Sequence, residues 1–306
     1  MAYNYKYIQK LRKKIKNKNL YIGTMVHECL ESHYTNKDWM KVIEKYNKKY
    51  LKMFEEERVE VEGCVDLTQQ LVEGYIEYFK DEELNVEFME KEILTELCDG
   101  IYLEGKIDLI ATDRNSRRFI VEHKTCKNFP DEATRMADIQ TVIYNWALEK
   151  EGIKSSGVIW DYVRKKVPTV PPLLKKGGLS KNAKIDTTYE IYLGSINEHG
   201  LDPNDYKEIL DDLKSKENNF YKRITLPFNR ALVEQVLDDT ISAAKQIKKL
   251  GKVVKDRNMT KDCSWCDYFN LCQTELRGLD SEFMRNKQFI ISKRSEKKDD
   301  KKEKNK

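Results

Sequence analysis

The stretch from Leu103 to Thr125 constrains the fold of this chain more than any other. Two runs of β-type residues, Leu103 to Thr112 and Arg117 to Lys124, flank the polar turn Asp113-Arg114-Asn115-Ser116. Folded symmetrically about Asn115, the hairpin sets Asp108 opposite Glu122. Side chains alternate faces along a strand, so Glu122 and Lys124 point the same way. A shift of one residue would undo the match. In the symmetric register, two carboxylates and an ammonium converge. Neighbouring carboxylates repel, and a divalent cation such as Mg²⁺ relieves the repulsion while keeping several waters. Such a cation can acidify an attacking water and polarise a phosphodiester oxygen. A lysine beside it can orient that water or stabilise developing charge. Spacing alone leaves a second reading open, a surface hairpin with ordinary charges.

Upstream, Val86 to Leu97 has strand character, and Asp99-Gly100 is a hairpin turn signal leading into the central stretch. A meander of three strands follows, with Glu92 on the first, placed either near the acidic pair or facing solvent. Gly100 to Lys106 reads G-x-x-x-x-G-K, the skeleton of a phosphate-binding loop. Ile107 stands where Ser or Thr would hold Mg²⁺, and the segment lies inside a β pattern, which excludes a nucleotide-hydrolysis loop.

Helical periodicity surrounds the meander. Thr24 is placed to cap a helix in which Val26, Leu30 and Tyr34 recur, with His27 early in it and off the apolar stripe. Helices are expected over Asp38 to Glu57 and Asp66 to Phe79. Asp131 can cap another, running to about Lys150, on which Gln140 and Tyr144 share a stripe four residues apart. Gly157 to Val163 and Thr187 to Leu193 read as strands, the second ended by Gly194. Val167 to Ser180 is a proline- and glycine-rich loop whose Lys175 and Lys176, with Lys181, either track a phosphate backbone or are merely solvated. Asp205 to Phe220 and Asn229 to Leu250 are helical.

A chain of 306 residues, 40% hydrophobic, can bury a real core despite 35% charged residues. The net charge of +4 does not by itself imply nucleic acid, but Lys6 to Lys18 and the end from Lys293 are both basic. The opening segment either faces phosphates or is a solvated helix end. No membrane span or signal peptide is expected, so the protein reads as soluble and cytoplasmic, in a bacterium or a phage-infected cell. Seven cysteines without a secretory signal point to a reducing compartment. Three of them, Cys263, Cys266 and Cys272, cluster among aromatics. Cys-x2-Cys suits Zn²⁺ or an iron–sulfur cluster, although both normally take four ligands. Residues 293–306 read as a disordered charged tail.

Gly23 with His27, Gly105-Lys106-Ile107-Asp108, Glu122-x-Lys124 and Gln140-x3-Tyr144 occur in this order. The pattern resembles the RecB-like branch of the PD-(D/E)XK nuclease superfamily, and the cysteines are similar to those of its iron–sulfur subgroup, which includes the AddB nuclease domain and the CRISPR-adaptation exonucleases. The resemblance implies an α/β fold, a mixed central sheet flanked by helices, with a C-terminal cysteine-bearing helical segment. It implies one nuclease domain over 1–292, its core about 20–195 and its helical, cysteine-rich part 204–280. It further implies that His27, Asp108 and Glu122 bind Mg²⁺ or Mn²⁺, and that Lys124 is the catalytic lysine. Gln140 and Tyr144 would position DNA and that lysine, and Glu92 would be an accessory acid. Cys263, Cys266 and Cys272 would hold a [4Fe-4S] cluster or Zn²⁺, with the fourth ligand missing. The activity implied is exonucleolytic cleavage at DNA ends in phage or bacterial recombination and repair, beside a strand-annealing or helicase partner. A catalytically inactive DNA-binding or regulatory subunit and a structural zinc protein are the rival readings.

Overall fold

The structure, a computed structural model, describes residues 1–14, 17–82, 84–136, 138–250, 257 and 259–292. The tail read from sequence as disordered lies outside the described residues. The strands are β1 (Leu11–Lys13), β2 (Asn85–Cys98), β3 (Ile101–Thr112), β4 (Arg118–Cys126), β5 (Gly157–Arg164), β6 (Tyr221–Pro227) and β7 (Phe289–Ile291). The α-helices are α1 (Lys18–Tyr34), α2 (Met40–Leu51), α3 (Glu55–Glu60), α4 (Cys64–Tyr78), α5 (Glu132–Met136), α6 (Ile139–Lys150), α7 (Tyr189–Glu198), α8 (Lys207–Ser215), α9 (Arg230–Leu250), α10 (Phe269–Leu276) and α11 (Ser281–Gln288). They fall into two units, Lys18–Asp239 and Met1–Asn17 with Thr240–Lys306.

In the larger unit one sheet runs in the order β2-β3-β4-β5-β6. The meander β2-β3-β4 is antiparallel, β4 and β5 are parallel, and β6 returns antiparallel to β5. A parallel neighbour needs a long crossover, and α5 and α6 supply it. The sheet is mixed and flanked by helices, as the resemblance implies. The hairpin about Asn115 keeps the symmetric register, from Thr112↔Arg118 to Leu109↔Val121.

Each face of the sheet carries its own core. Ile120, Val158, Trp160 and Ile224 pack against Ala147 and Leu148 of α6. On the opposite face Leu109, Val121 and Ile159 form one cluster beside Tyr34, while Met25, Leu30 and Leu71 join α1 to α4 in another. β3 does not alternate throughout. Ile107 and Ile110 both enter the α6 cluster, whereas Leu109 and Ala111 enter the other. The alternation therefore slips by one at Asp108. Glu90 sits at the same level of β2, between the paired Met89↔Leu109 and Lys91↔Ile107, and has a left-handed backbone with φ 52°. Irregularities of this kind concentrate beside active sites because they re-aim a side chain.

Several boundaries differ from expectation. Thr24 caps nothing: α1 begins at Lys18 because Tyr21, Ile22 and Met25 extend its buried face upstream, and the Thr24 hydroxyl donates to Leu20 O at 2.8 Å inside the helix. The helix expected from Asp131 to Lys150 is two, the second capped by the Asp138 side chain. Thr187 to Leu193 is not a strand. Thr188 caps α7, whose Tyr189, Tyr192, Leu193 and Ile196 share a cluster at helical spacing. Tyr221 to Pro227, given no element by the sequence, forms the edge strand β6, with Tyr221, Ile224 and Leu226 buried. Pro227 is tolerated because the edge strand needs no donor on its outer side.

In the smaller unit β1 pairs antiparallel with β7, Leu11 opposite Ile291. Tyr5, Leu11, Tyr268, Leu271 and Phe289 form its core, and the Tyr268 hydroxyl donates to Leu11 O at 2.8 Å. The basic opening segment is thus a helical turn, Asn4–Ile8, followed by β1.

Candidate active site

The site lies where β3 and β4 part. Their pairing stops at Leu109↔Val121, one step before Asp108 and Glu122 would face each other. Asp108 completes the bonding with its side chain instead, accepting the His123 backbone N–H on Oδ2 at 3.0 Å. Glu122 is almost wholly buried on the α6 side. Lys124 Nζ donates to Glu122 Oε1 at 2.5 Å, and Gln140 Nε2 donates to the same oxygen at 2.8 Å. Gln140 also stands 3.4 Å from both Lys124 Nζ and the Tyr144 hydroxyl. Gly105 is obligatory under this arrangement, since a Cβ there would come within 2.6 Å of the Tyr144 ring.

His27 approaches from α1, its Nδ1 3.5 Å from Asp108 Oδ2. Burial, reinforced by neighbouring His123, pulls its pKa down to about 4, so at neutral pH the imidazole keeps a lone pair on offer. Burial raises the pKa of Asp108 against the opposing pull of His123. Burial and the adjacent Asp108 raise that of Glu122. Glu122 Oε2 is buried with no hydrogen-bond partner. Buried Glu122 with its orphaned oxygen, repelled by the partly buried Asp108, fits a divalent cation. Among the described residues no three His, Cys, Asp or Glu side chains form a ready-made metal cage. The donor set here suits a hard cation that completes its shell with water.

Glu92 does not join this group. It is exposed and pairs in register with Lys106. The acid at the level of Asp108 is Glu90, two residues earlier, which forms an ion pair with Lys106. Folding β2 symmetrically onto β3 about Asp99-Gly100 sets Lys91 opposite Asp108, and the register shift between Glu96 and Cys98 moves Glu90 to that level.

The sequence reading also passed over a buried network on the opposite face. His123 Nδ1 lies 3.1 Å from Asp161 Oδ2, and the His123 ring stacks on Tyr34 at 5.6 Å. Asp161 is fully buried and accepts from the Tyr75 hydroxyl. Arg223 Nε lies 3.4 Å from Asp161 Oδ2, and its Nη2 donates to the Tyr34 and Tyr75 hydroxyls at 2.8 and 2.9 Å. A lone carboxylate inside the apolar run Val158 to Val163 was the available signal, because a buried charge requires a partner.

In the smaller unit Cys263, Cys266 and Cys272 line one cavity of about 90 Å³ together with Met1, Tyr5 and Arg257. No cysteine of the chain is in a disulfide. Arg257 Nη2 donates to Glu275 Oε2 at 3.2 Å beside the three thiols. Three thiols and a guanidinium do not make the four-ligand set of zinc or a [4Fe-4S] cluster, so the described residues do not complete that site.

No curated protein matches the chain. Among solved structures, the crystal structure of SSO0001 aligns over 84% of this chain and 87% of that one, with 15% identity and a TM-score of 0.32, too slight a likeness to argue from. A family model of the PD-(D/E)XK nuclease superfamily matches residues 1–273. With its mixed five-stranded sheet flanked by helices, a restriction-endonuclease-like core, this chain belongs to the PD-(D/E)XK nuclease superfamily.

Proposed function

We propose that the protein is a metal-dependent deoxyribonuclease acting on DNA ends, in phage or bacterial recombination or repair, beside a strand-annealing or helicase partner. One observation carries the reading: Asp108, Glu122 and Lys124 converge, with Glu122 Oε2 buried and unpartnered. Asp108 and Glu122, with His27, would hold Mg²⁺ or Mn²⁺. Bound there, the cation would acidify a water and polarise the phosphodiester.

The chain's own residues do the rest. The His123 backbone N–H fixes the Asp108 carboxylate in orientation. Lys124, held by Glu122 and beside Gln140, is placed to orient the attacking water and to offset charge growing on the phosphate. Gln140, carried by α6, holds the Glu122 carboxylate, and Tyr144 walls the site against Gly105.

The test is cleavage of end-labelled linear and closed circular DNA with Mg²⁺, Mn²⁺ or EDTA, comparing wild type with Lys124→Ala. Metal-dependent loss of the linear substrate alone, abolished by the substitution, is expected. Cutting of the circle would replace exonuclease by endonuclease. No cleavage by the intact chain under any condition would sink the enzyme reading and favour a DNA-binding subunit.

A further inference from the structure

A groove of about 970 Å³ opens in the larger unit at the end of β4 and β5. One wall is the Asn128–Phe129 segment that leaves β4, and Arg164 closes β5 beside it. Residues 183–190 and 213–219 form the other walls. In the parallel register Arg164 faces Cys126, two positions beyond Lys124, so the groove begins ~7 Å past the candidate catalytic lysine.

Its chemistry suits a sugar–phosphate chain. Lys184, Lys214 and Lys216 are exposed on its rim. Arg164 is committed to the wall, with Nη1 2.9 Å from Asp186 and Nε donating to Lys127 O at 3.2 Å. Asp186 is neutralised by Arg164 and by Lys166 at 2.7 Å, and Glu217 by Lys222 at 2.9 Å. Lys216 is partly engaged by Asp212, and Glu190 is the remaining acid at the groove. α7 enters with its N-terminal end, its Ile191 N–H capped by Thr188 Oγ1 at 3.3 Å. Tyr78, Phe129 and Tyr189 add flat apolar surface on which bases can stack.

We propose that this groove binds single-stranded DNA and holds the strand next to the scissile phosphate, an assignment that rests on the nuclease reading above. Cations and aromatics sharing one groove, as where Lys214 lies 5.9 Å from the Tyr189 ring, bind unpaired strands without regard to sequence, whereas a duplex would keep its bases stacked on each other. Lys184 and Lys214 contact phosphates.

The test is fluorescence anisotropy of a labelled oligothymidylate of about 16 nucleotides with the full chain in EDTA, over a range of salt. Wild type is compared with the double variant Lys184→Ala/Lys214→Ala, both surface side chains. Removing two phosphate contacts should lower the salt slope by about 1.4 and weaken binding about 25-fold at 0.1 M salt. An unchanged affinity and slope would overturn the proposal, as would an equal loss for a duplex of the same length. The assay needs no cleavage, so the nuclease reading fails separately, if Lys124→Ala digests DNA as wild type does.

Discussion

Gly105 and Tyr144 interlock: the ring of Tyr144 occupies the space a Cβ would need, 2.6 Å from its Cε1. The glycine of the Gly-x-Ile-Asp motif is thereby explained by packing. It lets α6 lie close enough to β3 for Gln140 to reach Glu122. Gly105→Ala should displace the ring, cost about 1–3 kcal/mol as overpacked sites do, and reduce cleavage. Thermal melting and initial rates on the same preparation check both effects.

Lys124 is partly exposed, its ammonium 2.5 Å from buried Glu122 and 5.9 Å from the ring of buried Trp160, so its removal should keep the fold at some cost in stability. Lys124→Ala is expected to lower the cleavage rate by about 10²–10³-fold, the loss seen when one donor to developing charge is deleted. The circular dichroism spectrum should stay that of wild type, with the melting temperature lowered by loss of the Glu122 ion pair yet above the assay temperature. A chain unfolded at the assay temperature would make its role structural.

The raised pKa values of Asp108 and Glu122 give stability a definite sign with pH. The native protein holds protons on these groups that the unfolded chain releases above about pH 4. Without divalent metal, their contribution therefore weakens stability as pH rises from there through the native values. Added Mg²⁺ should raise the melting temperature more at pH 7.5 than at pH 5. Glu122→Gln, which cannot ionise, should be inactive yet melt higher than metal-free wild type at pH 7.5. Melting curves with and without Mg²⁺ across pH decide it.

Asp161 works the other way. Burial raises its pKa, but Arg223, His123 and Tyr75 together hold it below the usual carboxylate range. Its contribution is fully present above about pH 4 and is lost as pH falls through the native value. Asp161→Ala leaves the largely buried Arg223 with only the more exposed Glu82, at 2.6 Å, as counter-charge and should cost about 3 kcal/mol. Urea denaturation at pH 7 measures the loss.

The sequence made the central hairpin legible because its turn is short and polar and its strands are rich in β-branched residues, which leaves one plausible register. It made His27, Gln140 and Tyr144 legible only through the resemblance, since no local pattern tells where α1 and α6 sit on the sheet. Glu90 was missed for Glu92 because simple alternation treats the two alike, while the slip at Asp108 does not. Residues 187–193 misled because Thr, Tyr and Ile favour strands. The spacing of Tyr189, Tyr192 and Ile196 outweighs that preference once the helix has a hydrophobic neighbour. β6 escaped because it is short and ends in proline. Asp161 and Arg223 are 62 positions apart (223 − 161 = 62), beyond the reach of any window along the chain.

The pairing of Asp161 with Arg223 has a consequence in time. During synthesis Asp161 leaves the ribosome before Arg223, by 62 residues (223 − 161 = 62). At about 5–20 residues per second, that interval lasts roughly 3–12 s. Throughout it the Asp161 carboxylate on β5 lacks Arg223, and the edge strand that seals β5 does not yet exist. A nascent chain therefore carries Asp108, Glu122, Lys124, Gln140 and Tyr144 around an unfinished sheet until β6 is made.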